Sequence, residues 1–109
     1  MTYDIRLKKE KDFNLVFKKG KKIFSSKLML YYIPASELKV GFAVSKKHGG
    51  SVKRNRIKRI LRESFRSFTP LLRQNFFFIF VPKISEEYNF FEIKEEMNII
   101  FKKGNFYIE

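Results

Sequence analysis

Residues 45–62 read SKKHGGSVKRNRIKRILR and contain eight Lys or Arg but no Asp or Glu. A glycine pair, Gly49-Gly50, interrupts the run, and an amphipathic pattern follows it. This order is typical of a strand end, a tight turn and the start of a helix. Because so dense a positive charge needs a counter-charge, the stretch predicts an anionic partner, and a polyanion fits best.

The helix predicted after the glycine pair spans residues 52–67. At 100° per residue its apolar and basic side chains fall on opposite sides. The apolar arc comprises Ile57, Ile60, Leu61, Phe65 and Phe68, and the opposite stripe comprises Asn55, Arg59, Arg62 and Arg66, flanked by Arg56 and Lys58. Cations near a helix N-terminus cost roughly 0.3–1 kcal/mol each at low salt, and a bound phosphate would reverse that sign. A solvated basic face is the alternative interpretation.

Outward from this helix, the hydrophobic periodicities predict the order α-β-β-β-α-β-α. A short helix carries Phe13, Val16 and Phe17 before Gly20, strands follow around 23–24, at 28–33 and at 38–45, and a strand at 76–81 and a helix at 86–103 follow the basic helix. In the strand at 38–45, Gly41, Ala43 and Ser45 leave one face bare, so another group can approach its backbone. The pattern predicts one α+β domain over residues 1–109, a two-layer sandwich of helices on a mixed sheet.

Composition supports a folded, anion-binding protein. The chain has 109 residues, 44% of them hydrophobic, 14 Phe and a net charge of +13. Residues 1–73 hold 20 Lys and Arg against 5 Asp and Glu, whereas residues 74–109 hold 4 against 6, which suggests one binding surface. The first four residues open no apolar signal region, and the apolar run at 76–81 is too short to span a bilayer. We therefore expect a soluble, cytoplasmic protein with no membrane partner.

The sequence offers little for catalysis. Cysteine is absent, which excludes disulfides, and His48 is the single histidine, so a triad or zinc cluster is not expected. The turn Gly49-Gly50-Ser51 lacks the spacing of a Walker A loop, and His48 fits a loop residue or a phosphate contact. The carboxylates Glu86, Glu87, Glu92, Glu95 and Glu96 have the spacing of a solvated helix face. We therefore expect neither catalytic nor metal-binding residues in this chain.

The motif KRNRIKR at residues 53–59, followed by Arg62-Glu63, resembles the RNR signature of the bacterial ribonuclease P protein component. The strand motif VGFAVSKK at 40–47, the segment RLK at 6–8 and the pattern of the first helix extend the resemblance over nearly the whole chain. The chain departs from the family pattern at Gly50, where Asn is frequent, and beside the last strand, at residues 75–76 and 81–83.

The resemblance implies a left-handed βαβ crossover, against the usual hand. It also implies two partners, ribonuclease P RNA and precursor tRNA, with no further protein partner required and with Mg²⁺ held mainly by the RNA, which carries the active site. The residues implied to contact the catalytic RNA are Lys53, Arg54, Asn55, Arg56, Lys58, Arg59 and Arg62. The residues implied to hold the single-stranded 5′ leader are Phe13, Phe17, Tyr31, Lys46 and Lys47. From periodicity alone, the three aromatic residues also fit a core role.

Two other functions fit parts of the sequence. A general RNA-binding module, such as a ribosomal-protein-like domain, would share the basic charge without acting on precursor tRNA. A helix-turn-helix DNA binder would use residues 53–66 as its recognition helix, although the apolar strands on both sides of that helix argue against it. A stand-alone nuclease fits least, because no catalytic constellation is present.

Overall fold

The computed structural model describes residues 5–85 and 87–108 as three α-helices and a four-stranded sheet. The elements are α1 (Glu10–Lys19), β1 (Lys21–Phe24), β2 (Leu28–Pro34), β3 (Lys39–Phe42), α2 (Ser51–Arg66), β4 (Phe76–Pro82) and α3 (Phe90–Lys103). The predicted α+β class and element order are confirmed. Within the described residues, no helix is both long and apolar enough to cross a membrane.

The sheet has the strand order β1-β2-β4-β3, so its mixed character is confirmed. β2 pairs antiparallel with β1 and with β4, whereas β3 and β4 are parallel and α2 connects them. The hand of this crossover stays a prediction. The N-terminal segment extends the sheet beyond β3, because the Leu7 amide donates to the Val40 carbonyl and the Val40 amide donates to the Ile5 carbonyl, each at 2.8 Å.

Helices α2 and α3 cover one face of the sheet and enclose the larger core. The predicted apolar arc of α2 is confirmed, because Ile57, Leu61 and Phe65 are buried. The Phe65 ring lies 6.0–6.2 Å from the rings of Phe78, Phe80 and Phe101, which joins α2, β4 and α3. Because α2 connects two parallel strands and packs on the face of their sheet, it is not part of a helix-turn-helix unit.

Helix α1 packs on the opposite face of the sheet around a smaller core of Leu7, Val16 and Ile79. Because side chains alternate along a strand, β2 and β4 supply both cores. The sheet is therefore covered on one face by two helices and on the other, in part, by one.

Two predicted boundaries differ from the structure by three residues or more. β3 ends at Phe42 instead of residue 45, because the chain turns into a 3₁₀ turn at Lys46–His48. α3 begins at Phe90 instead of residue 86, because the Asn89 side chain accepts from the amides of Phe91 and Glu92 and so caps the helix there. Glu86, expected on this helix, lies outside the described residues.

Candidate RNA interface

The seven residues expected to contact catalytic RNA all lie on α2. Five are exposed and two, Arg54 and Lys58, are half-buried. We call the exposed cationic side of this helix the α2 face; it comprises Lys53, Asn55, Arg56, Arg59, Arg62 and Arg66. Because Ile57, Leu61 and Phe65 hold the opposite side of the helix in the core, the orientation of the α2 face is fixed by packing.

Few of these cations are neutralised within the protein. The Arg59 Nε lies 3.6 Å from Glu63 Oε1, but both side chains are largely exposed, so the pair contributes little. The Arg54 Nε donates to the Gly49 carbonyl at 3.1 Å. In residues 5–85 and 87–108, no ion pair engages Arg56 or Arg62. Their charge is therefore available to an external anion.

The N-terminus of α2 lacks the capping found at α3. Its N-cap residue is Gly50, no side chain bonds to the first-turn amides, and no acidic residue lies in the first turn. Gly49 has a φ of 130°, a conformation that glycine adopts without strain. The helix dipole and the side chains of the first turn are therefore both positive at this end of α2, as the sequence indicates. The phosphate expected there stays a prediction.

The basic turn that follows β3 is anchored by His48. Lys46 and Lys47 are exposed, whereas His48 is only 4% exposed. Its Nε2 lies 3.1 Å from the Pro82 carbonyl and its Nδ1 lies 3.2 Å from the Tyr88 hydroxyl. His48 is therefore a residue of this loop, as expected, but a buried one: its ring ties the turn to the end of β4 and holds Lys46 and Lys47 beside the sheet. The alternative expectation, a phosphate contact, stays a prediction.

The Tyr88 hydroxyl completes this buried polar group by donating to the Lys83 carbonyl. Burial raises the pKa of Tyr88, although a backbone hydrogen bond from Ser85 works against the rise. The hydroxyl therefore stays protonated at neutral pH and can donate. The turn with Lys46 and Lys47 is therefore held by the contacts of His48 with Tyr88 and the Pro82 carbonyl, which residue spacing alone does not predict.

The aromatic residues expected in a leader cleft meet on the α1 side of the sheet. The Phe17 and Tyr31 rings lie 4.8 Å apart, edge to face, and the Lys22 Nζ lies 5.3 Å from the Tyr31 ring centroid. Phe17 is 38% exposed. These residues present aromatic surface and positive charge together, a combination that suits unpaired nucleotides.

Phe13 fills the bare face predicted on β3. A Cβ atom placed on Gly41 would lie 2.5 Å from Phe13 Cζ, so only glycine allows the ring this close to the strand. Phe13 is half-buried against the smaller core, and Phe17 one turn later is exposed. Phe13 therefore packs as a core residue and Phe17 does not, while the leader contact expected of both stays a prediction.

The sequence reasoning missed a row of side chains beside α1. Strand register aligns Phe24 of β1 with Met29 of β2, and Met29 with Val81 of β4. Met29 and Val81 are half-buried, Phe24 is 49% exposed, and the Lys83 Nζ lies 5.8 Å from the Phe24 ring. We call Phe17, Tyr31 and this row the α1 cleft. The row could be found only from strand pairing.

Of the α3 carboxylates expected on a solvated face, Glu92 and Glu95 are exposed, but Glu96 is not. Glu96 is buried and accepts from Ser25 Oγ at 2.6 Å, Ser26 Oγ at 2.8 Å and the Lys27 amide at 2.6 Å. Burial by itself would raise the pKa of Glu96, but these hydrogen bonds and the Lys27 charge outweigh it and lower the pKa. Glu96 therefore fastens α3 to the β1–β2 turn as a charged group.

The structure also shows the contacts at the positions that depart from the family pattern. A Cβ atom on Gly50 would meet nothing within 4 Å, so the site has room for a side chain. The Asn75 carbonyl accepts from the Ala35 amide at 2.9 Å. The Lys83 Nζ donates to the Ser25 carbonyl at 2.9 Å, which directs this cation toward the β1–β2 turn.

Comparison with known proteins gives one consistent result. The family described as Ribonuclease P matches residues 1–105. The ribonuclease P protein component of Caldanaerobacter subterraneus is 40% identical over 108 residues, covering 95% of this chain and 92% of that protein. The protein of the same name from Bacillus velezensis is 37% identical over 105 residues, covering 94% and 90%.

Solved structures agree with the sequence comparison. The RNase P protein of Staphylococcus aureus superposes with a TM-score of 0.82 at 25% identity, covering 97% of this chain and 100% of that one. The Thermotoga maritima RNase P protein superposes with a TM-score of 0.80 at 26% identity, covering 89% and 96%.

Proposed function

Since this chain belongs to the bacterial ribonuclease P protein family, we propose that it binds the catalytic RNA and the 5′ leader of precursor tRNA. It thereby assists the endonucleolytic removal of the leader that gives the mature tRNA 5′ end. The observation that carries this proposal is the α2 face, a fixed row of cations in which Arg56 and Arg62 have no ion pair among the described residues. We place this function in the cytoplasm, where tRNA precursors are processed.

The α2 face is the proposed contact with the catalytic RNA. Phosphate contacts from Lys and Arg supply most of the affinity for RNA and make it dependent on salt. Arg56, Arg59 and Arg62 project from a helix whose other side is locked in the core, so their spacing is preserved before binding. A preformed row of this kind loses little conformational entropy when the RNA binds.

The α1 cleft is the proposed contact with the leader. Single-stranded nucleotides bind where bases can stack on aromatic rings beside cations. Phe17 and Tyr31 supply rings, Lys22 supplies a cation beside Tyr31, and Lys46 and Lys47 supply further charge in the turn after β3. Phe13 supports this surface from beneath by packing on Gly41.

The proposed division of labour leaves the chemistry to the RNA. Mg²⁺ held mainly by the RNA supplies the activation of water for phosphodiester hydrolysis. The protein reduces the repulsion between two polyanions and orients the leader. This role requires surface cations and aromatic rings, and no general base.

The direct test is cleavage of a precursor tRNA by a bacterial ribonuclease P RNA at low Mg²⁺, with and without this protein. We expect cleavage at the mature 5′ end only when both are present. Cleavage by the protein alone, freed of contaminating RNA, would contradict the placement of the active site on the RNA. Absence of stimulation, with the RNA active at high Mg²⁺, would favour a general RNA-binding module instead.

The leader contact can be tested separately with Phe17→Ala. Because stacking contributes about 1–3 kcal/mol per base, the variant should bind precursor tRNA about tenfold more weakly in the holoenzyme. Mature tRNA, which lacks the leader, provides the control and should bind equally well to both holoenzymes. An equal loss for both RNAs would place Phe17 outside the leader contact. Leu15→Ala, at a similarly exposed apolar position of α1, is the matched control variant.

A further inference from the structure

A cavity of about 510 Å³ lies between the N-terminal segment, β3 and the second half of α2. Its floor includes Phe42 and Phe65, and three arginines line it: Arg6, Arg62 and Arg66. The cavity has the size of a small-molecule site, which typically measures about 300–1,000 Å³. Among the described residues that line it, none is acidic.

The lining combines an aromatic floor with arginine side chains, whereas a site for phosphate alone needs only the cations. An apolar aromatic floor favours a flat, uncharged ring, and Arg guanidinium groups both stack on bases and bind phosphate in a planar fork. The Phe42 ring is half-buried, and its contacts with Phe65 and Phe80 hold it in place. Arg62 is at the same time part of the α2 face, so the cavity continues the proposed RNA surface.

We propose that this cavity receives one unstacked nucleotide of the ribonuclease P RNA, with its base over Phe42 and its phosphate beside Arg62 and Arg66. The inference rests on the proposed function, since it adds a base-binding site to a helix proposed to bind RNA phosphates. An apolar protein side chain would fit the floor, but it would supply no counter-charge to Arg62 and Arg66, which form no ion pair among the described residues. A nucleotide of RNA supplies both a base for the aromatic floor and a phosphate for the arginines.

Thr69 offers a way to close the cavity without changing its charge. This half-buried residue lines the cavity and its hydroxyl donates to the Phe65 carbonyl at 3.3 Å. Thr69→Trp places a large ring where the base would lie, and Thr69→Val removes the same hydroxyl without filling the space. Thermal unfolding of both variants establishes that each is folded.

We expect Thr69→Trp to bind the RNA subunit about tenfold more weakly than Thr69→Val, the loss of one stacked base. Because Thr69→Trp keeps every arginine, the slope of log affinity against log salt should change less than in Arg66→Ala. Arg66→Ala should instead weaken binding and reduce that slope by about 1. Equal affinity of the two Thr69 variants would overturn the proposal.

A second measurement uses the wild-type protein and does not depend on any variant. Amide chemical shifts are followed by NMR while adenosine monophosphate or ribose 5-phosphate is added at millimolar concentration. We expect shifts at Val40, Phe42 and Thr69 that saturate at a lower concentration with adenosine monophosphate than with ribose 5-phosphate, because both ligands carry the phosphate and only the nucleotide carries the base. Equal shifts with both ligands would reduce the cavity to a phosphate site, and no shift with adenosine monophosphate would also overturn the proposal.

Failure of this proposal can be distinguished from failure of the proposed function. If the wild-type protein stimulates precursor tRNA cleavage while both tests of the cavity are negative, the cofactor role holds and the nucleotide site falls. If the protein does not stimulate cleavage but binds adenosine monophosphate in the cavity, the base site stands and its RNA is a different one.

Discussion

Helices α2 and α3 cover the same face of the sheet and bury apolar sides in the same core, but their charged residues have different partners. On α3, Glu96 accepts three hydrogen bonds from the β1–β2 turn, Glu92 pairs with Lys27, and the Lys103 Nζ donates to the Phe24 carbonyl at 2.7 Å. On α2, the nearest acid for Arg59 is the exposed Glu63 at 3.6 Å, and no ion pair in the described ranges engages Arg62.

The difference separates charges that stabilise the fold from charges that await a partner. Glu92, Glu96 and Lys103 of α3 have partners within the chain, so removing the buried Glu96 should lower stability and leave RNA binding intact. The cations of the α2 face are exposed and raise the self-repulsion of a chain with net charge +13, so removing one should leave stability almost unchanged and weaken RNA binding. Four variants test this division.

The largest expected effect is on stability, from Glu96→Ala. The change leaves Ser25 Oγ, Ser26 Oγ and the Lys27 amide without their acceptor and removes a buried charged group. Hydrogen bonds to charged groups contribute about 1.5–3 kcal/mol each, and the effects of neighbours are not additive, so we expect a loss of about 3 kcal/mol in the free energy of unfolding.

Urea denaturation measures this loss, and the exposed neighbour Glu95→Ala is the matched control, expected to change stability by less than about 0.5 kcal/mol. If the two variants were equally stable, Glu96 would contribute no more than a solvated carboxylate, and the contrast between the helices would not hold.

The second effect is a dependence of stability on pH that Glu96 supplies. Its folded-state pKa lies below the ordinary value of 4.5, so its contribution is fully present above that value and is lost as pH falls through the folded pKa. Glu96→Gln cannot titrate. We therefore expect the difference in unfolding free energy between wild type and Glu96→Gln to be constant near neutral pH and to shrink in acid.

Denaturation at a series of pH values, from neutral to below the folded pKa, measures this difference. A difference that grows on acidification would mean that the pKa of Glu96 is raised in the folded state, contrary to the hydrogen bonds it accepts.

The third variant, Arg59→Ala, moves the test to α2. Loss of one charge-assisted contact to phosphate should weaken binding of the RNA subunit about tenfold and lower the salt slope by about 1. The free energy of unfolding should change by less than about 0.5 kcal/mol, because the pair with Glu63 is exposed.

Lys102→Ala is the matched control, since Lys102 is an exposed cation on α3. A comparable loss from Lys102→Ala, measured in the same filter-binding titration, would indicate that total charge governs affinity and that the α2 face has no special position.

Residue pattern predicted α2 better than α3 for a physical reason. The two sides of α2 are set by periodicity within 16 residues, and its exposed cations need no partner in the chain. Glu96 follows an equally regular pattern, but its partners at residues 25–27 lie about 70 positions away. Such a contact depends on how the β1–β2 turn docks on α3, which local spacing does not encode.

The same limit explains the other differences between prediction and structure. The bare strand face at Gly41 was visible in the sequence, but the ring that fills it comes from Phe13. His48 is surrounded by basic residues in the sequence, and its actual partners, the Pro82 carbonyl and Tyr88, belong to distant segments. Single elements and their exposed faces follow from sequence, whereas contacts between elements require the fold.

The smallest expected effect comes from Gly50→Asn, which gives α2 the kind of N-cap that Asn89 provides at α3. Gly50 has φ −72° and ψ 178°, an extended conformation open to any residue, and nothing within 4 Å opposes a side chain. An Asn side chain there can accept from the first-turn amides, as Asn89 accepts from Phe91 and Glu92. Because Asn exceeds Gly at an N-cap by only a few tenths of a kcal/mol, we expect a small gain in unfolding free energy.

The effect of Gly50→Asn on RNA binding tests whether the free first-turn amides of α2 bind a phosphate of the RNA. If a phosphate uses the first-turn amides, the new side chain competes with it, and binding of the RNA subunit weakens while the folded state gains stability. If binding is unchanged, the phosphates contact only side chains of the α2 face, and the free amides play no part. Gly50→Ala, which adds a Cβ without an acceptor, separates competition from bulk: weaker binding by both variants would mean that the RNA backbone approaches too closely for any side chain.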